Sequence, residues 1–198
     1  MVQEDATLVQ RTLAGEACAF DALVQRHRPR LVRVAAALTG DADEAESLAQ
    51  EALTRALARL ADYRPETPLG AWLQGIVLNL CRTHLRQRSR HARPTAPDQL
   101  GETPAAEGQR RGVLSGILRR EAHDRALQAI AQLPIPLREA FVLHFVEGMD
   151  YAAMSQITGV AAGTLRVRAC RARALLRAGL GPVVDTWLRE GRFRDESS

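Results

Sequence analysis

The stretch GMDYAAMSQITGVAAGTLRVRACRARALL, residues 148–176, decides how the C-terminal part of this chain folds. Asp150 can cap a short helix through its side-chain oxygen, and apolar residues follow it at helical spacing. Gly159 supplies the positive φ at which such a helix ends. After a turn of small residues, Thr164 can cap a second helix. The stretch therefore predicts a helix-turn-helix.

The second helix of this stretch has two unlike faces. Its small and apolar residues form one inward stripe at helical spacing: Leu165, Ala169, Ala172 and Leu176. The opposite side carries Arg166, Val167, Cys170, Arg171 and Ala174, flanked by Arg173 and Arg177. A recognition helix in the DNA major groove needs this arrangement. A helical hairpin with solvated arginines is the alternative, but the arginines have no acidic neighbours to neutralise them, and this favours nucleic-acid binding.

The bulk composition favours a helical protein built from small side chains. Aliphatic residues and alanine are plentiful, aromatic residues make up 4%, and alternating runs rich in Val, Ile and Thr are missing. A chain of 198 residues can hold one large or two small domains. All 27 basic residues are arginine, and the formal charge is +4. Arginine suits bidentate contact with phosphates and bases, although codon bias would produce the same composition.

Several function classes are disfavoured. The longest apolar runs fall short of the roughly 18 to 20 residues that span a membrane, and the N-terminus lacks a signal-peptide pattern, so we expect a cytoplasmic protein without membrane insertion. Cys18, Cys81 and Cys170 lie far apart and predict reduced, mostly packing thiols, with no metal site and no cofactor. Without a Ser/His/Asp set or a Gly-rich phosphate loop, we do not expect an enzyme.

The N-terminal half predicts further helices. Residues 4–40 carry two helical patterns, the second of which we expect to be kinked or restarted at Pro29. Residues 41–60 form a helix with acids in its first turns, where the helix dipole favours them. Its inward residues are Leu48, Ala52, Leu53, Leu57 and Leu60. Its exposed polar residues are Glu44, Ser47, Gln50 and Glu51, which are either solvated or a docking surface for a basic partner.

A rigid loop over residues 62–68 precedes a helix from about Leu69, whose far end is basic and contains no acid. Such an end can lie along a phosphate backbone or begin a linker. Pro- and Gly-rich sequence follows, with few large apolar residues. We therefore expect a helical domain over 1–93, a flexible linker over 94–112, a helix-turn-helix domain over 113–180 and a tail over 181–198.

Taken together, the chain resembles the extracytoplasmic-function sigma factors of bacterial RNA polymerase. In the C-terminal part the resemblance rests on Leu133-Pro134, Arg138-Glu139, Phe141-Val142-Leu143, Glu147-Gly148, Tyr151-Ala152, Gly159-Val160, Gly163-Thr164-Leu165-Arg166 and Arg171-Ala172-Arg173. In the N-terminal part it rests on Ala45-Glu46, Leu48, Gln50-Glu51, Tyr63-Arg64, Ala71-Trp72-Leu73, Ile76, Asn79-Leu80 and His84-Leu85-Arg86. The implied fold is all-α, with a region-two-like bundle and a region-four-like helix-turn-helix.

The resemblance also implies roles for the surfaces. The residues expected on the basic clamp helices of the largest polymerase subunit are Glu44, Ser47, Gln50 and Glu51. Those expected to hold the single-stranded minus-ten element, with one base turned out of the stack, are Tyr63, Trp72, Asn79, Arg82 and Arg86. Those expected on the minus-thirty-five element are Thr164, Arg166, Val167, Cys170, Arg171, Arg173 and Arg177. Region four would also rest on the polymerase flap, and an anti-sigma factor is an expected regulator.

Three positions depart from the family pattern. Ser47 stands where an acid is usual, and Gln74 and Gly75 replace a common aromatic and a basic residue. The glycine costs about 1 kcal/mol of helix stability. Two alternatives remain open: a stand-alone helix-turn-helix regulator that dimerises through its N-terminal half, and a sigma-like decoy that sequesters a regulator.

Overall fold

The structure is a computed structural model that describes residues 2–91, 125–181 and 184. Over these residues it consists of helices and connecting turns, without strands, as expected for an all-α protein. The predicted linker, the residues up to 124 and the tail apart from Gly181 and Val184 lie outside the described residues. None of the described helices is long and apolar enough to cross a membrane.

The N-terminal bundle contains four helices. They are α1 (Val2–Leu13), α2 (Ala17–Thr39), α3 (Ala42–Ala58) and α4 (Leu69–His91), with a short 3-10 turn at Leu60–Asp62. Helices α2 and α3 pack closely because fully or almost fully buried alanines line the contact, among them Ala35, Ala45, Ala49 and Ala52. Gly40 ends α2 with a φ of 74°, and Asp41 caps α3 by accepting from two backbone N–H groups. A tight antiparallel hairpin results.

Helix α2 runs continuously through Pro29, so the predicted restart of the helix is wrong. Proline removes one N–H donor and therefore leaves the carbonyl of residue 25 without its helical partner. Pro29 and Gln25 are both exposed, so water can satisfy that carbonyl. Leu23 and Leu31, on either side, are buried and hold the helix against the core.

The C-terminal bundle contains a helix over residues 125–132, named α5, followed by α6 (Ile135–Phe141), α7 (Tyr151–Thr158) and α8 (Ala162–Leu180). A π-helical segment at Val142–Val146 extends α6. Helices α7 and α8 form the predicted helix-turn-helix: Asp150 caps α7 by accepting from the Ala153 N–H at 2.7 Å, and Gly159 ends it with a φ of 70°. The π-helical segment has no signal in the sequence pattern.

Two local predictions are wrong. Helix α8 begins at Ala162, with Ala161 at the cap position and no side-chain cap, so Thr164 lies in the first turn instead of capping it. Leu57 was expected to face inward but is 45% exposed, because the buried side of α3 continues through Ala56 to Leu60, just beyond the helix, and Leu57 lies beside it. The other predicted inward residues of α3 are buried.

The two bundles pack against each other and share one cluster of buried apolar residues. Helix α4 contacts α7, and α2 contacts both α6 and the π-helical segment. Arg138 of α6 is buried and donates to the carbonyl oxygen of Leu38 at the end of α2, as well as to those of Ala131 and Leu133. Burial lowers the pKa of this guanidinium from its usual range. The bundles are therefore joined by polar as well as apolar contacts.

Gly40→Ala is expected to destabilise the chain more than Gly15→Ala. Both glycines have positive φ, 74° and 93°, where an alanine costs about 1–2 kcal/mol. A Cβ at residue 15 would meet nothing within 4 Å, whereas one at residue 40 would lie 2.6 Å from the Ala131 Cβ of α5. Urea unfolding measures both losses. Equal losses would mean that α5 does not rest on the α2–α3 turn in solution.

Candidate nucleic-acid interface

Helix α8 has the two faces that its sequence predicts. The inward residues Leu165, Ala169, Ala172 and Leu176 are all buried. The proposed DNA-contacting residues are all exposed: Thr164, Arg166, Val167, Cys170, Arg171, Arg173 and Arg177. Val167, at 50% exposure, is apolar surface among arginines and can contact the C5-methyl group of a thymine. The face is open to a ligand.

Aromatic side chains support two arginines of this face: Arg173, whose guanidinium lies 6.0 Å from the centroid of the Phe145 ring, and Arg166. The Arg166 guanidinium lies 5.4 Å from the centroid of the Tyr151 ring, at the start of α7. That ring stacks on His144, with centroids 4.3 Å apart, and the His144 Nδ1 lies 2.9 Å from the Met149 carbonyl oxygen. Cation–π contact restricts both arginines before any DNA is bound. The sequence patterns did not single out Tyr151 or His144 for this role.

The polar face of α3 is exposed at three of its four predicted positions. Ser47, Gln50 and Glu51 are exposed, while Glu44 is half-buried, with its carboxylate 3.4 Å from His84 Nδ1. Glu51 pairs with Arg55 one turn later at 2.5 Å, and both are close to half exposed. Such surface pairs are weak and can be exchanged for another cation.

The loop before α4 is ordered by its aromatic residue. The Tyr63 hydroxyl donates to the Thr67 carbonyl at 2.8 Å, and the ring lies 5.4 Å from that of Trp72, tilted by 52°. Asn79 and Arg86 lie further along α4 and are exposed. An aromatic pair followed by an amide and an arginine can stack a base, contact its edge and hold its phosphate.

Arg82 is mostly buried, whereas Asn79 and Arg86 on the same helix are exposed. Its Nε and Nη2 atoms donate to the two carboxylate oxygens of Glu139 in α6, at 2.6 and 2.7 Å. The hydrogen bond to Glu139 raises the pKa of Arg82. Arg82 therefore already has an anionic ligand from the C-terminal bundle.

A second polar contact joins the bundles at Glu147, whose side chain is fully buried. Its carboxylate accepts from Arg30 Nε, from Arg33 Nε at 3.2 Å and from Gln74 Nε2 at 2.6 Å. Gly75 lies beside this contact, with room for a Cβ 3.6 Å from the Ile157 Cβ. Two of the three positions that depart from the family pattern, Gln74 and Gly75, therefore lie where the bundles meet.

The cysteines differ from one another. Cys81 is buried in the core, and burial raises its thiol pKa to about 12. Cys18 and Cys170 are exposed, so the prediction of mostly packing thiols holds for Cys81 alone. Within residues 2–91 and 125–181, groups of three or more His, Cys, Asp or Glu side chains that could hold a metal ion were not found.

Family models match both halves of the chain. Residues 23–91 match Sigma-70 region 2, and residues 123–176 match Sigma-70 region 4. The chain is 32% identical to the RNA polymerase sigma-H factor of Pseudomonas aeruginosa over 92% of this chain and 96% of that protein. It is 33% identical to the ECF sigma factor SigM of Mycobacterium tuberculosis over 90% of this chain and 86% of that protein. The chain belongs to the ECF sigma factors of RNA polymerase, which direct the polymerase to promoters and are generally regulators of transcription without enzymatic activity.

Two solved structures have the same architecture. CnrH, in complex with the cytosolic domain of CnrY, superposes with a TM-score of 0.66 at 25% identity and covers 89% of this chain and 97% of that chain. RpoE from Bartonella quintana, in complex with the anti-sigma factor NepR, superposes with a TM-score of 0.63 at 27% identity. The match covers 81% of this chain and 96% of that chain. In each of those structures the matching chain is bound to another protein.

Ellman's reagent at pH 8 is expected to modify Cys18 and Cys170 quickly and Cys81 only after unfolding. A thiol with a pKa of about 12 is ionised to about one part in ten thousand at pH 8, and the thiolate is the reacting species. The chromophore released in the native state gives the number of accessible thiols, and the chromophore released in guanidinium gives the total number of thiols. Three fast thiols in the native protein would show that the core around Cys81 is open.

Proposed function

We propose that this chain binds core RNA polymerase through α3, the minus-ten element through α4 and the preceding loop, and the minus-thirty-five element through α8. The observation that carries the proposal is the basic, exposed face of a region-four helix-turn-helix on the same chain as a region-two bundle. The site of action is the cytoplasm, and no catalytic step or cofactor is part of the proposal.

Core polymerase is held by the exposed side of α3. Gln50 and Glu51 offer an amide and a carboxylate to the basic clamp helices, and Ser47 adds a hydroxyl. Glu44 contributes from the edge of the same face because it is half-buried beside His84. The region-four bundle adds a second contact, with the polymerase flap.

The minus-ten element is held as a single strand. Tyr63 and Trp72 stack a base, Asn79 contacts the edge of a base turned out of the duplex, and Arg86 holds a backbone phosphate. Arg82 joins them after it leaves Glu139. The tethering of the loop by the Tyr63 hydroxyl supports this assignment because the aromatic pair is already ordered.

The minus-thirty-five element is read in the major groove by α8. Arg166, restricted by Tyr151, reads a guanine edge, while Val167 and Cys170 offer apolar and shape contacts. Arg171, Arg173 and Arg177 hold phosphates, together with the Thr164 hydroxyl at the start of the helix.

An anti-sigma factor regulates the chain. CnrH and RpoE are bound in their structures by the cytosolic domain of CnrY and by NepR, and both resemble this chain over most of its length. Their similarity supports a protein regulator of the same class here.

In vitro transcription with bacterial core polymerase on a randomised promoter library tests the proposed function. The full-length chain should select templates with two fixed elements at a constant spacing. A chain that binds duplex DNA alone and never supports transcription would be a stand-alone regulator, and one that binds neither DNA nor core would be a decoy.

Gln50→Ala with Glu51→Ala is expected to weaken core binding by about tenfold or more without changing stability. Both residues are exposed, so their loss removes contacts with the polymerase but little packing within the chain. Titration of labelled protein with core polymerase measures the affinity. Gln10→Ala with Glu16→Ala, an exposed pair of the same residue types outside α3, is the matched control. If both double variants bind as the native chain does, the α3 face is solvated surface only.

Arg166→Ala is expected to relax the preference for one base pair of the minus-thirty-five element, at a cost of about 1–3 kcal/mol there. Arg173→Ala and Arg177→Ala should instead weaken binding to all sequences and lower the salt dependence by about one counterion each. Promoter selection and salt titration with each variant separate the two outcomes. Should Arg166→Ala keep the native preference and lose only overall affinity, base reading lies outside this residue.

A further inference from the structure

Besides its apolar packing, the contact between the two bundles contains a set of charged and polar side chains. On the N-terminal bundle it contains Arg30, Arg33, Gln74 and Arg82, and on the C-terminal bundle Glu139 and Glu147. These residues are called the docking contact below. Every ion pair in it crosses from one bundle to the other, and each carboxylate receives two or three donors.

Burial makes these pairs selective for one arrangement. The Glu147 side chain has no exposed surface and that of Glu139 is 9% exposed, so neither carboxylate can turn to water where the bundles meet. Separating the bundles would expose to water the buried carboxylates of Glu139 and Glu147 and the buried Gln74 amide. Since desolvation offsets much of the attraction in a buried pair, such a contact fixes orientation more than it adds stability. It is suited to an interface that is specific and can still be opened.

Shape supports the same arrangement. Gly75 allows α7 to approach α4, because a Cβ there would already touch Ile157 at 3.6 Å and a longer side chain would have to displace it. Gln74, only 1% exposed, places its amide nitrogen on Glu147. Both residues are adjusted to the neighbouring bundle, whereas neither is required to build α4 itself.

We propose that the docking contact is an autoinhibitory lock, in which Glu139 and Glu147 of the C-terminal bundle occupy arginines of the N-terminal bundle while the chain is without DNA. Arg82 cannot hold both carboxylate oxygens of Glu139 and a DNA phosphate with the same two N–H groups. This step rests on the proposed minus-ten role of Arg82. The exposed face of α3 stays accessible in the locked chain, so α3 can contact the polymerase first, but the lock must open before the two bundles can reach separate sites on the polymerase and the promoter.

The lock predicts a fixed distance between the bundles. Cys18 lies in α2 and Cys170 in α8, and both are exposed, while Cys81 is buried with a thiol pKa of about 12. Spin labels on the native cysteines therefore report the separation of the bundles by pulsed electron resonance without any substitution. The measurement needs neither polymerase nor DNA, so its result is independent of the proposed function.

The native full-length chain should give one narrow distance distribution. Arg82→Glu and Glu139→Arg should each broaden it and move it to longer distances, and the double variant should restore the narrow distribution because the pair is rebuilt with reversed charges. Gly75→Arg should also broaden it, although all three ion pairs keep their residues. Glu46→Arg, which reverses an exposed pair with Arg28 inside the N-terminal bundle, is the control and should change nothing.

Circular dichroism establishes that each variant keeps its helix content. If a charge-reversal variant fails to fold, Gly75→Arg tests the docking contact in its place. A broad distribution in the native chain would overturn the proposal. So would folded charge-reversal or Gly75→Arg variants that keep the native distribution, or a folded double variant as broad as the single ones.

Discussion

A carboxylate with no access to water needs cationic or N–H partners, and Glu147 finds them on the other bundle. Ionised and buried alone, it would carry a desolvation cost of several kcal/mol. Arg30 and Arg33 approach from α2 and Gln74 from α4, so the end of the π-helical segment is fixed against two helices at once. Helix α7 begins four residues later and α8 follows it, so the recognition helix takes its position from this requirement.

Some parts of this structure follow from local chemistry and were predictable from the sequence. Caps, positive-φ glycines and helical periodicity identified α7, the turn and the faces of α8, because these features depend on residues within one or two turns. Helix α4 and its basic end were also predictable from the sequence. The same local reasoning was wrong in allowing a restart at Pro29, and wrong at Thr164 and Leu57, where packing and the exact helix start decide the outcome.

What could not be predicted is the pairing between distant residues. Arg82 and Glu139 are 57 positions apart, and Arg30 and Glu147 are 117 apart, so periodicity carries no information about either pair. Gln74 and Gly75 were visible only as departures from a family pattern, and their role becomes clear once Ile157 and Glu147 lie beside them. Similarly, Tyr151 under Arg166 requires knowing how α7 and α8 cross.

The exposed surfaces and the docking contact together suggest an order of events. The face of α3 and the arginine face of α8 are accessible as the structure stands, whereas Arg82 is occupied. The α3 contact with the polymerase can therefore form first, and the bundles then separate to reach the two promoter elements, which releases Arg82 from Glu139 for single-stranded DNA. The Glu139 carboxylate would serve as an internal stand-in for the phosphate.

The most direct test compares the bundle separation in the chain alone and in a complex with core polymerase and promoter DNA. Spin labels at Cys18 and at Gln128→Cys, with Cys170→Ser, keep the DNA-facing side of α8 unlabelled; residue 128 is exposed on α5. A sigma factor whose bundles bind two separate promoter elements should give a clearly longer distance in the promoter complex. An active complex with the same distance as the chain alone would contradict the account.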